Sequence, residues 1–209
     1  MTRELPTVIW DLDGTLVDTL ANITNTVNLV RDKFGLDNVG SDIIIEYLNG
    51  TSNIKAVDIF GVAEDKLSSA RELFGKYYEI ECVKDIELYS KVEDTLHILS
   101  DKGYKLCVAT NGSLKYAQMI LEELQIITLF DCIVGSDSVT NPKPAPDMLI
   151  KALGDSDISK SVMVGDSPKD IIAAKRANIM PLFANWGYGK IADEVIILNR
   201  ATDILKVLP

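Results

Sequence analysis

The chain has 209 residues, of which 47% are hydrophobic, so it can bury one large core or a core with a smaller insert. Its 31 acidic residues outnumber 21 basic ones and give a formal net charge of −10, which disfavours nucleic acid and anionic membranes as partners. The sequence shows neither the pattern of a signal peptide nor an apolar run of membrane-spanning length, and we predict a cytoplasmic protein.

The first predicted element is a short buried strand, Val8 to Trp10, made of β-branched and aromatic residues. Asp11 follows at its carboxyl end, where open parallel sheets bind ligands, and Asp13 would face the same way in a regular strand. Two carboxylates so close repel each other unless they share a proton or a cation, and oxygen ligands suit Mg²⁺. Taken alone, this stretch is more often an ordinary turn, since Asp and the following Gly14 favour turns.

Residues 19 to 85 show helical periodicity with almost no strand signal. The first predicted helix ends near Gly35. Three further helices are predicted at 43–48, 54–60 and 64–78, with a loop at 50–53. A run of helices directly after a strand-end acid predicts an inserted, all-helical cap domain.

From about Ile86 strands and helices alternate. The predicted strands are 104–110, 130–134, 161–165, 179–184 and 194–198, and the predicted helices are 92–99, 114–124, 146–153, 168–177 and 202–208. Alternation implies right-handed crossovers and a parallel sheet covered by helices. We therefore predict an α/β fold, with a doubly wound Rossmann-like core formed by 1–18 and 86–209 and the helical cap formed by 19–85.

The three cysteines, Cys82, Cys107 and Cys132, lack the spacing of a disulfide framework or a metal site. Cys107 and Cys132 each lie in an apolar, strand-like run, which predicts small core residues. This cysteine usage favours a reducing compartment.

A second polar segment, Thr110-Asn111-Gly112-Ser113, follows a predicted strand. A hydroxyl there, with the backbone N–H groups of a tight turn, can hold a phosphoryl oxygen. The alternative is a plain turn with Ser113 as a helix N-cap, which the segment alone favours.

A third segment, Asn141 to Asp147, confines Lys143 between prolines, which restrict the backbone and position its ammonium group. That group could neutralise both Asp11 and a phosphate. A solvated lysine in a rigid linker is the alternative.

The fourth segment is a predicted strand that ends in Asp166, with Asp170 four residues later. Asp166 could complete a metal site with Asp11 and Asp13. The residues around Asp170 equally fit a helix start with an N-cap, a first-turn proline and a capping acid.

These four motifs span Asp11 to Asp170, and in order and spacing they resemble the haloacid dehalogenase superfamily, in its phosphatase branch. The segment Trp186-Gly187-Tyr188-Gly189 and the position of the helical insert look most like the phosphoglycolate phosphatase group. One departure is Lys91, where such proteins often place glycine.

The resemblance implies a Mg²⁺-dependent phosphatase that hydrolyses a small phosphomonoester through an aspartyl-phosphate. Asp11 would be the nucleophile and Asp13 the general acid and base, with Thr110 and Lys143 assisting catalysis. The implied metal-site residues are Asp11, Asp13 (through its carbonyl), Asp166 and, as support, Asp170. The implied substrate-binding residues are Thr110, Asn111, Gly112 and Lys143 for the phosphate, and Asn49, Gly50, Thr51, Ser52 and Lys55 in the cap. The expected partner is a small phosphorylated metabolite, with neither nucleic acid nor membrane, and monomer and homodimer both remain open.

Several alternatives stay open. A sugar-phosphate mutase of the β-phosphoglucomutase type tends to have an apolar residue where this chain has Thr15, which favours hydrolysis. A phosphonate hydrolase would need a cap lysine that forms a Schiff base, and Lys55 is a candidate. A non-enzymatic phospho-acceptor switch shares the strand-end aspartates, but not an acid at Asp13 or a helical insert. Dehalogenases of the superfamily lack the second acid, so the presence of Asp13 argues against cleavage of a carbon–halogen bond.

Overall fold

The computed structural model describes residues 6–50, 52–191 and 194–208. The chain divides into two compact units. The core unit is Met1–Asp18 with Glu87–Pro209, and the helical unit is Thr19–Ile86. Ile86, predicted to begin the second part of the core, falls in the helical unit.

The strands belong to the core unit and are β1 Thr7–Trp10, β2 Val17–Asp18, β3 Glu87–Leu88, β4 Lys105–Ala109, β5 Cys132–Val134, β6 Val162–Gly165, β7 Met180–Ala184 and β8 Ile196–Leu198. Six of them form a parallel sheet in the order β5–β4–β1–β6–β7–β8. The chain builds outward from β1 to β4 and β5, then returns to place β6 on the other side of β1. That reversal of direction creates a crevice at the carboxyl ends of β1, β4 and β6.

The remaining paired strands, β2 and β3, form a short antiparallel ribbon in which Val17 lies opposite Leu88 and Asp18 opposite Glu87. The sequence analysis missed this ribbon, because strands of two residues are too short to show an alternating pattern.

The helices of the helical unit are α1 Leu20–Lys33, α2 Ser41–Asn49, α3 Ala56–Phe60 and α4 Leu67–Glu81. The start of the last predicted helix is a separate 3₁₀ turn, Glu64–Lys66. Their apolar faces meet in one cluster, which includes Val27, Val30, Ile44 and Phe60. The unit therefore has a hydrophobic core of its own.

The helices of the core unit are α5 Val92–Asp101, α6 Leu114–Glu123, α7 Asp147–Leu153, α8 Pro168–Arg176 and α9 Ile204–Val207. The side chains of Met148 and Ala152 on α7 pack with Ile9 of β1 and Met163 of β6 in one buried cluster. A parallel sheet covered in this way confirms the predicted α/β, Rossmann-like fold. Across the described ranges, none of the helices combines the length and apolar character that crossing a bilayer requires.

Candidate active site

Three polar residues lie at the same edge of the sheet, each directly after one of three adjacent strands. Asp11 comes directly after β1, Thr110 after β4 and Asp166 after β6. Because the carboxyl ends of adjacent parallel strands meet at one edge, the fold brings residues from distant parts of the sequence to one crevice.

The chain turns sharply after Asp11 instead of continuing as a strand. The Leu12 carbonyl oxygen accepts hydrogen bonds from the N–H groups of Thr15, Leu16 and Val17 at 3.2, 2.9 and 3.0 Å. Gly14 has a φ of +79°, which favours glycine. Strand alternation, from which a common orientation of Asp11 and Asp13 was expected, therefore does not apply here.

The Asp11 carboxylate is buried and held through one oxygen. Its Oδ1 accepts the Leu12 backbone N–H at 2.8 Å and lies 2.8 Å from the Lys143 ammonium. Burial raises the pKa of Asp11 well above its ordinary value, and repulsion from Asp170 adds to the rise, while the attraction of Lys143 lowers it without cancelling it. The folded environment therefore favours the protonated form of Asp11, chiefly because the carboxyl group is buried.

Lys143 is 4% exposed and donates to three acceptors. Its Nζ lies 2.8 Å from Asp11 Oδ1, 2.6 Å from Asp170 Oδ1 and 2.7 Å from the Ala109 carbonyl oxygen. Burial lowers the pKa of Lys143, but the attraction of the two aspartates outweighs it and the net shift is upward. An ammonium group has three N–H donors, so these contacts use all of them. Asn111 positions the same loop, because its side-chain amide donates to the Lys143 carbonyl oxygen at 2.8 Å.

Asp166 is held from two sides. Its Oδ1 accepts the Thr15 hydroxyl at 3.2 Å, and its Oδ2 accepts the backbone N–H groups of Tyr188 and Gly189 at 2.7 and 3.3 Å. Burial and then repulsion from Asp170 raise the pKa of Asp166 to about 7, although the hydrogen bonds oppose the rise.

Asp170 has one carboxylate oxygen in a helix cap and the other against Lys143. Its Oδ2 accepts the backbone N–H and the hydroxyl of Ser167, at 3.1 and 2.7 Å, which completes a capping box at the start of α8. Its Oδ1 faces Lys143. One ligand atom from each of Asp11, Asp166 and Asp170 lies within 4.8 Å of the others.

The Asp13 side chain is not part of that group of three carboxylates. Its Oδ2 accepts the Thr110 hydroxyl at 3.3 Å, and the same hydroxyl oxygen accepts the Gly112 backbone N–H at 3.0 Å. Glycine fits there because a Cβ at position 112 would lie 3.3 Å from the Thr110 hydroxyl. The structure thus joins the predicted residues Asp13, Thr110 and Gly112 in one hydrogen-bonded group.

The sequence analysis assigned no site role to the loop after β7. The Trp186 indole N–H donates to the Thr15 carbonyl oxygen at 2.9 Å, and the Tyr188 hydroxyl donates to Asp18 Oδ1 at 2.9 Å. A Cβ at Gly187 would collide with the Gly14 carbonyl oxygen. Together with the N–H groups on Asp166, these contacts brace the turn after β1. Backbone donors have no residue signature, so only the aromatic–glycine pattern hinted at this loop.

The predicted cap residues lie between α2 and α3 of the helical unit. Asn49 is buried at the end of α2, and Gly50 has a φ of +63°. The Ser52 hydroxyl accepts the Ile54 N–H at 3.4 Å, and Lys55 is exposed just before α3. Thr51 lies outside the described residues. Contact of this segment with a substrate stays a prediction.

Comparison with known proteins places this architecture in a class. The haloacid dehalogenase-like hydrolase family matches residues 8–184, and the chain belongs to that family. It is a phosphatase, that is, a phosphoric monoester hydrolase, as the resemblance in sequence implied.

The relatives narrow the comparison within the family. The chain is 32% identical to a phosphoglycolate phosphatase of Aquifex aeolicus over 206 residues, which cover 96% of this chain and 95% of the relative. It is 32% identical to the phosphoglycolate phosphatase of Colwellia psychrerythraea over 202 residues, covering 89% and 87% of the two chains. The crystal structure of a predicted phosphoglycolate phosphatase from Haemophilus somnus 129pt superimposes with a TM-score of 0.88 at 26% identity, over 99% of both chains.

Proposed function

We propose that this phosphatase is Mg²⁺-dependent and hydrolyses a small phosphomonoester through an aspartyl-phosphate formed on Asp11. The observation that carries the proposal is the buried cluster at the strand ends, where the carboxylates of Asp11, Asp166 and Asp170 approach within 4.8 Å of one another. The three carboxylates outnumber the two lysines that interact with them, the fully engaged Lys143 and the neighbouring Lys169. A site for a cation and a phosphate explains the imbalance.

The donor set fits Mg²⁺, because it consists of carboxylate oxygens and carries uncompensated negative charge. Asp11 and Asp166 are the proposed carboxylate ligands, with the backbone carbonyl of Asp13. When bound, the ion would supply positive charge that offsets the repulsion between a phosphate dianion and the Asp11 carboxylate. Asp170 Oδ1 is paired with the Lys143 ammonium, and its Oδ2 closes the capping box of α8. The groups that donate to Asp166 are neutral, so we assign Asp166 the ligand role and Asp170 a supporting role.

Asp11 is suited to act as the nucleophile because its orientation is restrained. In the described residues, both of its hydrogen-bonding contacts fall on Oδ1, and Oδ2 remains to attack phosphorus. The attack forms the Asp11–phosphorus bond and breaks the bond to the leaving oxygen. Water then attacks phosphorus, releases inorganic phosphate and regenerates the carboxylate.

Asp13 is the proposed proton carrier for both steps. In the first step its protonated carboxyl gives a proton to the leaving alkoxide, and in the second its carboxylate takes a proton from water. The hydrogen bond from the Thr110 hydroxyl, at 3.3 Å, orients this carboxyl group. Thr110, Asn111, Gly112 and Lys143 remain the proposed phosphate-binding residues. Because all three Lys143 donors are engaged, a direct bond from Lys143 to a phosphoryl oxygen would replace one of them.

The proposed substrate class is a small phosphorylated acid of the phosphoglycolate type. The support is the full-length similarity to proteins named phosphoglycolate phosphatase. We further propose that the helical unit selects the leaving group through Asn49 to Ser52 and Lys55, and that the core unit performs the chemistry.

A panel of small phosphomonoesters tests the proposal. With Mg²⁺, we expect phosphate release from phosphoglycolate to exceed release from sugar phosphates and nucleotides. EDTA and the variant Asp11→Asn should each abolish release. Transfer of the phosphoryl group to a sugar phosphate without release would instead identify a mutase, and an aspartyl-phosphate that persists for hours would identify a switch. Near-normal turnover by Asp11→Asn would exclude this residue as the nucleophile.

A further inference from the structure

Cys107 and Cys132 lie directly opposite each other in the neighbouring strands β4 and β5. Adjacent strands run about 4.7–4.9 Å apart, which falls within the range of about 4.4–6.8 Å between the Cα atoms of bonded cysteines. Opposed residues of a parallel pair point to the same face of the sheet, and both side chains pack on the cluster beneath α7. The backbone therefore already has the spacing that a disulfide needs.

The two thiols differ in access. β5 is the edge strand of the sheet, and Cys132 on it is partly buried. Cys107 is fully buried, with its sulfur 3.5 Å from the Ala152 carbonyl oxygen. A small oxidant arriving from solvent therefore reaches Cys132 before it reaches the buried Cys107.

The surroundings also favour a thiolate at Cys132. A hydrogen bond from the Cys107 thiol, together with the ammonium groups of Lys105 and Lys151, lowers the pKa of Cys132 to about 6, although burial opposes the shift. Lys105 is fixed nearby, since its Nζ donates to the carbonyl oxygens of Ala152 and Leu153 at 2.8 and 3.1 Å. The thiolate is the reactive form of cysteine, so Cys132, the more accessible member of the pair, is also the more nucleophilic one.

We propose that Cys107 and Cys132 are a redox-active pair that a hydroperoxide converts to an intramolecular disulfide. The Cys132 thiolate attacks the terminal oxygen of the peroxide, breaks the O–O bond and becomes a sulfenic acid; hydroxide leaves from hydrogen peroxide, and an alkoxide leaves from an organic hydroperoxide. The Cys107 thiol then attacks that sulfur, forms the S–S bond and releases water. The peroxide is reduced and the two thiols are oxidised. This modification site does not depend on the proposed reaction at Asp11.

The pair lies close to the candidate active site along the same strands. Two residues beyond Cys107, the Ala109 carbonyl oxygen accepts the Lys143 ammonium at 2.7 Å. Two residues beyond Cys132, the Val134 carbonyl oxygen accepts the Thr110 backbone N–H at 3.0 Å. A cross-link at this point joins the two strands just before they reach the site.

Peptide mapping of the oxidised full-length protein tests the inference. Reduced protein is freed of reductant, treated with hydrogen peroxide, alkylated and mapped without reduction. We expect two of the three cysteine thiols to resist alkylation. The linked peptide should join Cys107 to Cys132 and be lighter by two hydrogen atoms. Dithiothreitol should restore all three thiols.

Three variants locate the chemistry. Cys82→Ser, in the helical unit, should form the same linked peptide as the unmodified protein. Cys107→Ser should accumulate a sulfenic acid at Cys132 that dimedone traps, and Cys132→Ser should leave Cys107 reduced. Retention of three free thiols by folded, peroxide-treated protein would overturn the inference, and so would a disulfide between two chains. If a variant fails to fold, the map of the unsubstituted protein decides the question.

Discussion

Replacing Lys143 by methionine removes the positive charge from the buried carboxylate cluster while keeping most of the side-chain volume. The ammonium lies 2.8 Å from Asp11 and 2.6 Å from Asp170. At an effective dielectric constant of about 20, each contact corresponds to a gross Coulomb energy of about 6 kcal/mol. The net effect is smaller because burying the lysine also has a desolvation cost. Removing one partner of a buried ion pair typically costs about 3–5 kcal/mol, and we expect that loss at pH 8 without metal.

Tryptophan fluorescence measures this loss of stability in the core unit, which contains Lys143. The chain has two tryptophans, Trp10 and Trp186, and both belong to the core unit. Urea unfolding followed by their emission therefore reports the unit that contains Lys143. For a protein of this size the expected fall in melting temperature is on the order of 10 °C. The loss should shrink at pH 5, where the unpaired carboxylates of the variant can take up protons.

The control is a variant that removes an exposed lysine from the same unit. Lys206→Met removes a lysine of the core unit whose side chain is 78% exposed and paired with Asp203, and it should leave the urea midpoint unchanged. If Lys143→Met unfolds at the same urea concentration as the parent protein at pH 8, the lysine does not offset the charge of the cluster, and the electrostatic argument fails.

Four further predictions concern the candidate active site. Asp13→Asn should lower turnover about 10²–10⁴-fold, the usual contribution of a general acid and base, and unchanged single-turnover kinetics would contradict that role. Asp166→Asn should raise the Mg²⁺ concentration required for half-maximal activity more than Asp170→Asn does, and equal shifts in a metal titration would make Asp170 a direct ligand. Because the pKa of Asp166 rises from 3.8 to about 7 on folding, its contribution to stability is present below about pH 4 and is lost as the pH rises to about 7. Urea midpoints in EDTA should fall over this range in the parent protein and fall less in Asp166→Asn, where Asp11, whose pKa is also raised, still contributes. Gly187→Ala should reduce activity because a Cβ there meets the Gly14 carbonyl oxygen, and an alanine variant with normal kinetics would show that the loop does not position the turn.

The sequence was informative where side-chain chemistry coincides with the end of a hydrophobic strand. Asp11, Thr110 and Asp166 each follow an apolar run, and the parallel topology that alternation predicts brings such positions together. The flanking prolines were enough to propose Lys143 as a site residue. They could not show that its ammonium contacts three acceptors at once, because the acceptors belong to three separate segments of the chain.

Other features depend on relationships that a linear pattern does not contain. The two N–H groups that bind Asp166 are backbone donors, and any residue at those positions would carry them. The pairing of Cys107 with Cys132 follows from the register of two strands, and register becomes visible only when the sheet is assembled. Spacing along the chain therefore gave no reason to pair these cysteines.

The β2–β3 ribbon makes the helical unit an exchangeable module. The chain leaves the core unit after Asp18 and returns at Glu87, and these two residues are opposed across an antiparallel pair. A hairpin turn of a few residues spans such a gap. Inserts of other lengths or folds can therefore be grafted between these two positions while β1, the strand that leads into Asp11, keeps both of its neighbours.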